Sequence, residues 1–381
     1  AMSGGLLVAL ATALVLPLAA FPVQDAPTCS SLKDCNGAGR CVTGKCICDP
    51  AFTGRFCESL HFGQSYKCGA GGLCDQNVST WGGNAVKGSD GMYHLYAASF
   101  RDHCPLSSWL THSVVVHAEA STPEGPYKVH DVALGPRNRS LFDGMTQHNP
   151  APILGGDGSI LLFYMGTTGT NGSGCSSYLS NGIVPAAAKL QRVGLARTAV
   201  SKPSGPWDRP DAPILTPEPS PAWDDLFTTN PSPYIFPNGS VLLLYKARSK
   251  ESEKAMRTGV AMAPAIEGPY TVVSHGFIDV DPKCEDAGIY RSKSGVFRAV
   301  FHCGCNYQYV WSEDGIDWHV TTKQQPWCDV TYTDGTTERL ERRERPQWFL
   351  GADGEPTHMF NGVMPSKSHG GRSFTMVSTL L

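Results

Sequence analysis

The sequence lacks a strong excess of either charge. Its 31 Lys and Arg stand against 34 Asp and Glu, for a formal net charge of −3. An extended basic surface is missing too: the one basic cluster, Arg339 to Arg345, is interleaved with Glu341 and Glu344. Nucleic-acid binding, which uses clustered Lys and Arg, is therefore not expected. No long amphipathic helical pattern stands out. The apolar run from Leu6 to Phe21 is short for a bilayer span and is broken by Pro17. It reads as an export signal over residues 1–26, with Ala19, Ala20 and Ala26 as small residues for cleavage. An uncleaved signal anchor is the alternative, since no Lys or Arg precedes the run. With the signal removed no membrane span is expected, and the protein reads as secreted.

What the chain has in quantity fits that compartment. There are 14 cysteines, an even number, which favours disulfides in an exported chain. Four Asn-x-Ser/Thr acceptors for glycosylation occur, at Asn77, Asn138, Asn171 and Asn238. Glycine (41) and proline (28) are plentiful, as many short strands joined by tight turns require.

Six cysteines fall close together: Cys29, Cys35, Cys41, Cys46, Cys48 and Cys57. Spacing alone allows 15 connectivities. The ending Cys46-x-Cys48-x8-Cys57, with Phe52 and Gly54 in the last loop, resembles an EGF-like domain over residues 27–58. The resemblance implies pairing of first with third, second with fourth and fifth with sixth. Ala51 departs from it, standing where the family usually has Gly or Pro. No acidic calcium-binding run precedes Cys29. So small a module depends on its bridges. It is a spacer or a site for a protein partner.

Residues 59–381 repeat loosely. Asp90-Gly91, Asp157-Gly158, Asn238-Gly239, Ser294-Gly295 and Asp353-Gly354 each introduce a strand-like run. Such turns between apolar runs are hairpin signals, because glycine accepts φ > 0. A second motif follows most copies, as in Glu124-Gly125-Pro126-Tyr127, Ser204-Gly205-Pro206-Trp207 and Glu267-Gly268-Pro269-Tyr270. The expected fold is all-β: a five-bladed β-propeller, one four-stranded blade per repeat, behind the small disulfide-rich module. The run Ser373 to Leu381 is expected to close the ring. A two-sheet sandwich is the structural alternative.

The turn glycines set a register. Nine residues before them lie Asn149, Asn230, Asp286 and Arg345; one earlier lie His148, Thr229, Glu285 and Glu344. Blade one, read as two residues shorter, offers Asn84. Seven residues after the glycines come Ala98, Met165, Lys246, His302 and Asn361. Equivalent inner-strand positions converge on a propeller's channel. A ring of polar groups there is poor core material but suits a ligand with many hydroxyls. Arg248 and Arg291 extend this candidate binding set, and Asp143, upstream of His148, could swing in.

The stretches His148-Asn149-Pro150, Thr229-Asn230-Pro231, Glu285-Asp286-Ala287 and Glu344-Arg345-Pro346 resemble the inner-strand motifs of five-bladed glycosidases, above all family 43 glycoside hydrolases and their relatives. The resemblance covers roughly residues 75–381. It implies a glycoside hydrolase acting on an oligo- or polysaccharide in the central channel, with inversion slightly preferred. The candidate catalytic carboxylates are Asp286, Glu344 and Glu285. Neighbouring strand residues face opposite ways, so Glu285 and Asp286 share a site only if a bulge intervenes. Arg345 and Lys246 could hold a carboxylate or sulfate, or depress an acid's pKa.

One departure matters. The family keeps an Asp at the start of blade one, where this chain reads Trp81-Gly82-Gly83-Asn84, and blades two and three offer Asn149 and Asn230. Asn cannot exchange a proton. The alternative is therefore an inactive propeller that binds carbohydrate or mediates adhesion; a protein-binding scaffold is a third reading. No cofactor is expected. No metal site is expected either, because Cys303-Gly304-Cys305 has no zinc-spaced partner pair. His302 is the one candidate for a central ion. The eight later cysteines are expected to staple loops, and a bridge at Cys284 would fix the site's geometry.

Overall fold

The computed structural model describes residues 29–169, 175, 186–251, 256–273, 278–321, 323–366 and 372–381. The export signal and the Asn171 acceptor lie outside the described residues. Asn77, Asn138 and Asn238 are exposed.

The large domain is a five-bladed β-propeller. Blade one pairs Thr80–Lys87, Tyr93–Phe100, Ser113–Ala120 and Lys128–Leu134 in order. Blade two holds Thr146–Leu154, Ser159–Thr167 and Arg192–Ala199. Blade three runs Phe227–Ile235, Val241–Arg248, Arg257–Ala263 and Thr271–Val272. Blade four runs Glu285–Arg291, Phe297–Cys303, Asn306–Ser312 and His319–Val320. Blade five runs Arg342–Leu350, Pro356–Met364, Phe374–Leu380 and, outermost, Phe62–Ser65. The five glycine turns all join a first strand to a second, with φ between 78° and 87°. The second strands are almost wholly buried, as in Ser159–Thr167, because adjacent blades cover both faces.

Ring closure corrects one expectation. Phe374–Leu380 is the third strand of blade five, and Phe62–Ser65, from the start of the domain, is its fourth. First and last parts of the chain thus share one sheet, which closes the ring.

The six early cysteines bond as the EGF resemblance implies: Cys29–Cys41, Cys35–Cys46 and Cys48–Cys57. The other bridges are Cys68–Cys74, Cys104–Cys175, Cys284–Cys303 and Cys305–Cys328, and no cysteine is free. Ala51, the departure in the motif, takes φ 71°, the left-handed conformation that favours glycine.

The small module packs directly on blade four. Arg298, fully buried, donates from Nε to Gly37 O at 3.0 Å and from Nη1 to Tyr290 Oη at 2.9 Å, and it pairs with Asp49. Phe52 packs on Tyr309 with ring centroids 5.0 Å apart, and Leu60 N donates to Tyr307 Oη at 2.8 Å. A Cβ on Gly37 would strike the Trp311 ring at 2.3 Å, so that close approach requires glycine. Among the described residues no helix is long and apolar enough to cross a membrane.

Candidate active site in the propeller channel

Each first strand carries a bulge at the same place. Register is lost between Trp81 and Asn84, His148 and Ala151, Thr229 and Ser232, Glu285 and Gly288, and Glu344 and Gln347. In every case the residue after the first of these is left-handed: Gly82, Asn149, Asn230, Asp286 and Arg345, with φ from 49° to 59°. A bulge places two residues opposite one and re-aims their side chains. Glu285 and Asp286 therefore both reach the channel, despite being neighbours.

Lys246 shows this directly. Its Nζ lies 2.5 Å from Glu285 Oε2 and 3.3 Å from Asp286 Oδ1. The amides form a chain behind it: Asn149 Nδ2 donates to Asn230 Oδ1 at 2.8 Å, and Asn230 Nδ2 donates to Asp286 Oδ1 at 2.5 Å. Arg345, buried beneath, comes within 3.7 Å of Asp286 Oδ1 and donates to Asn149 O at 3.4 Å. His302 sits between two carboxylates, with Nδ1 3.7 Å from Asp286 Oδ2 and Nε2 3.8 Å from Glu344 Oε2. Arg342 Nε donates to Glu344 Oε1 at 2.6 Å.

Charge follows from these contacts. Burial would raise the Asp286 pKa, but Lys246, Arg345 and His302, with the Asn230 amide, hold it well below the usual carboxylate range. Burial would lower that of Lys246, yet Asp286 and Glu285 raise it. Both stay ionised. Burial pushes His148 down to about 3, with Arg345 adding to the effect, so its imidazole is neutral. Its Nδ1 lies 2.8 Å from Ser113 Oγ, whose hydroxyl donates to Gln147 O. His148 must then donate at Nδ1, which leaves Nε2 as an acceptor.

Above this floor opens a cavity of about 510 Å³. His148, Asn149, Asn230, Lys246, Arg248, Glu285, Asp286 and Glu344 line it. His302 and Arg345 support it from below. Trp81, Trp109, Gln191 and Arg342 also line the wall, and sequence reasoning missed them. Trp81 was findable, being the blade-one counterpart of His148 and Glu285. Trp109 lies on the short helix Trp109–His112, outside the repeat, where it stacks on His148 at 5.5 Å.

Four candidates fall elsewhere. Asn84 is two positions past the bulge residue; its amide donates to Trp348 O at 2.9 Å, and it lines the opposite mouth of the channel. Blade one is not shorter: its ninth residue before the turn is Gly82. Arg291, at the end of its strand, donates to Gly295 O in the turn. Asn361 is buried between Arg343 Nε, at 3.0 Å, and Glu344 O, at 3.2 Å. Asp143 is locked by Arg137, Arg209 and Tyr164. The Cys284–Cys303 bridge adjoins the Glu285–His302 pair and ties its two strands together.

Comparison with known proteins agrees with this architecture. A family model of teneurin-like EGF domains matches residues 32–59. No curated protein matches in sequence. Solved structures do match in shape. A family 117 glycoside hydrolase from the marine bacterium Zobellia galactanivorans superposes with TM-score 0.58 at 15% identity, over 84% of this chain and 91% of its own. The catalytic domain of a Coprinopsis cinerea family 62 α-L-arabinofuranosidase gives 0.56 at 11%, over 84% and 97%. A thermostable family 43 glycoside hydrolase gives 0.53 at 11%, over 80% and 89%. The fold is that of glycoside-hydrolase propellers.

Proposed function

We propose that this is an extracellular carbohydrate-active protein that binds a glycan in the 510 Å³ cavity and hydrolyses it with Asp286 and Glu344. The disulfide-bonded module is consistent with the extracellular setting. One observation carries the reading: the blade-four bulge turns Glu285 and Asp286 together into the channel, and Glu344 faces them across His302. A glycosidase needs two carboxyl groups about 5–9.5 Å apart. One imidazole between Asp286 and Glu344 supports a spacing of that order. Asp286 Oδ1 is occupied by Asn230 and Lys246. Its Oδ2 remains to take a proton from water, while Glu344 would protonate the leaving oxygen. Trp109, half-buried at the cavity wall, supplies an aromatic face for a sugar ring.

A second reading, binding without cleavage, also has a specific observation behind it. Blade one has Gly82 and no carboxylate at its bulge, and Asn149 and Asn230, at the bulges of blades two and three, cannot exchange protons. Incubation with a panel of neutral and acidic oligosaccharides separates the two. Release of new reducing ends supports hydrolysis. Tryptophan-fluorescence quenching without release supports the receptor. Neither response to any glycan would overturn both.

A further inference from the structure

Blade one carries a second cluster of titratable side chains, away from the channel. His94 lies on Tyr93–Phe100, His117 and Glu119 on Ser113–Ala120, and Asp131 on Lys128–Leu134. These are adjacent strands. His94 pairs with Glu119 across the first gap and His117 with Asp131 across the second. Alternation along each strand puts all four on one face of the sheet.

The two imidazoles are fully buried and face each other. His94 Nδ1 lies 2.9 Å from His117 Nε2. Glu119 Oε1 lies 3.6 Å from the first and 3.7 Å from the second. Each ring turns its other nitrogen to a carboxylate: His94 Nε2 is 3.2 Å from Asp90 Oδ1, and His117 Nδ1 is 3.3 Å from Asp131 Oδ2. The proton count favours a cation when both outer carboxylates act as acceptors. If each outer nitrogen donates its N–H to its carboxylate, the two inner nitrogens are bare lone pairs. Three acceptors then converge with no donor among them, a costly arrangement in a buried site. A cation resolves it.

We propose that His94 Nδ1, His117 Nε2 and Glu119 Oε1 bind a zinc ion, with the fourth position left to solvent. Ligands about 2.0–2.1 Å from a tetrahedral zinc lie roughly 3.3 Å apart. The three observed separations bracket that value. Two neutral imidazoles and a carboxylate are a donor set that zinc favours. Outer carboxylates on both histidines are the usual means of fixing tautomer and ring orientation at such sites. Glu119 is about one-third exposed, which gives an ion a path from solvent. Ser204 of blade two reaches within 3.3 Å of His117 Nδ1, so the ion would brace two blades. Zinc-type sequence spacing is absent because His94 lies 23 residues from His117 and meets it across strands, while Glu119 shares the His117 strand.

The test is zinc titration by calorimetry of the full chain after chelator stripping, repeated with cobalt for its visible absorption. One equivalent should bind, and the cobalt form should show the intense bands of a tetrahedral site. Glu119→Gln, at a partly exposed position the fold tolerates, should weaken binding at least tenfold. Asp131→Asn should weaken it about 10- to 100-fold. Zinc should raise the melting temperature of the parent and not of Glu119→Gln. No uptake at micromolar zinc would leave a shared proton as the cation and overturn the proposal. So would uptake undiminished in Glu119→Gln, or lost instead in Asp286→Asn, which would place the ion in the channel.

Discussion

Arg345 fills the space beside Gly82. A Cβ built on Gly82 would lie 3.2 Å from the Arg345 Cβ and 3.4 Å from its Cγ. Blades two to four present amides and a carboxylate at this bulge. Blade five instead sends a buried guanidinium across to blade one and under Asp286.

Gly82→Ala is therefore expected to destabilise the propeller by about 1–2 kcal/mol, the cost of a left-handed residue that carries a Cβ, with the Arg345 contact added. Urea denaturation measures it. An unchanged midpoint would mean that the backbone at this bulge does not need the left-handed conformation.

Lys246→Met would leave Glu285 and Asp286 side by side without their shared cation. Removing one partner of a buried pair typically costs about 3–5 kcal/mol. The same denaturation series should show a loss of that order. A change near zero would mean that Arg345 alone neutralises Asp286.

The pH dependence should begin with His148. Its folded pKa is lowered to about 3 by burial and by Arg345, against an unfolded value of about 6.5. Between these values the unfolded chain binds a proton that the folded chain does not. Stability therefore falls as pH drops from about 6.5 toward 3, by up to roughly 1.4 kcal/mol per pH unit. Melting curves across this window should show the slope, and His148→Gln should flatten its upper part, above the carboxylate range. An equal slope in the variant would assign the effect to another group.

Ala51→Gly should stabilise the EGF-like module. At φ 71° the alanine bears a left-handed penalty that glycine avoids. After allowing for glycine's greater unfolded freedom, the gain should be about 0.5–1 kcal/mol. Protection of the module from limited proteolysis should rise; a fall would show that the Ala51 methyl contributes more by packing.

The fold was legible because its punctuation is local. Five hairpin glycines and six EGF cysteines act over a few residues, and each did what its chemistry demands. Ring closure by Phe62–Ser65 was not legible, because that strand's partner lies more than 300 residues away. The bulges were half visible. Asn149, Asn230, Asp286 and Arg345 recur at one spacing, but nothing in their identities announces φ > 0, and Gly82 was passed over for the more polar Asn84. Lys246 and His302 were found because they obey the same repeat. Trp109 and Gln191 sit in insertions that no repeat predicts, and His94 joins His117 and Glu119 only across strands, from 23 residues away.

Asp286 and Glu344 are proposed to perform chemistry on a glycan held in the channel. The direct measurement is turnover of a cleaved oligosaccharide by the parent, Asp286→Asn and Glu344→Gln, with binding followed on the same samples. Both variants should still bind the glycan while release of reducing ends falls by about 10²–10⁴-fold. Turnover retained in both variants would contradict this role and remove these two carboxylates from the mechanism.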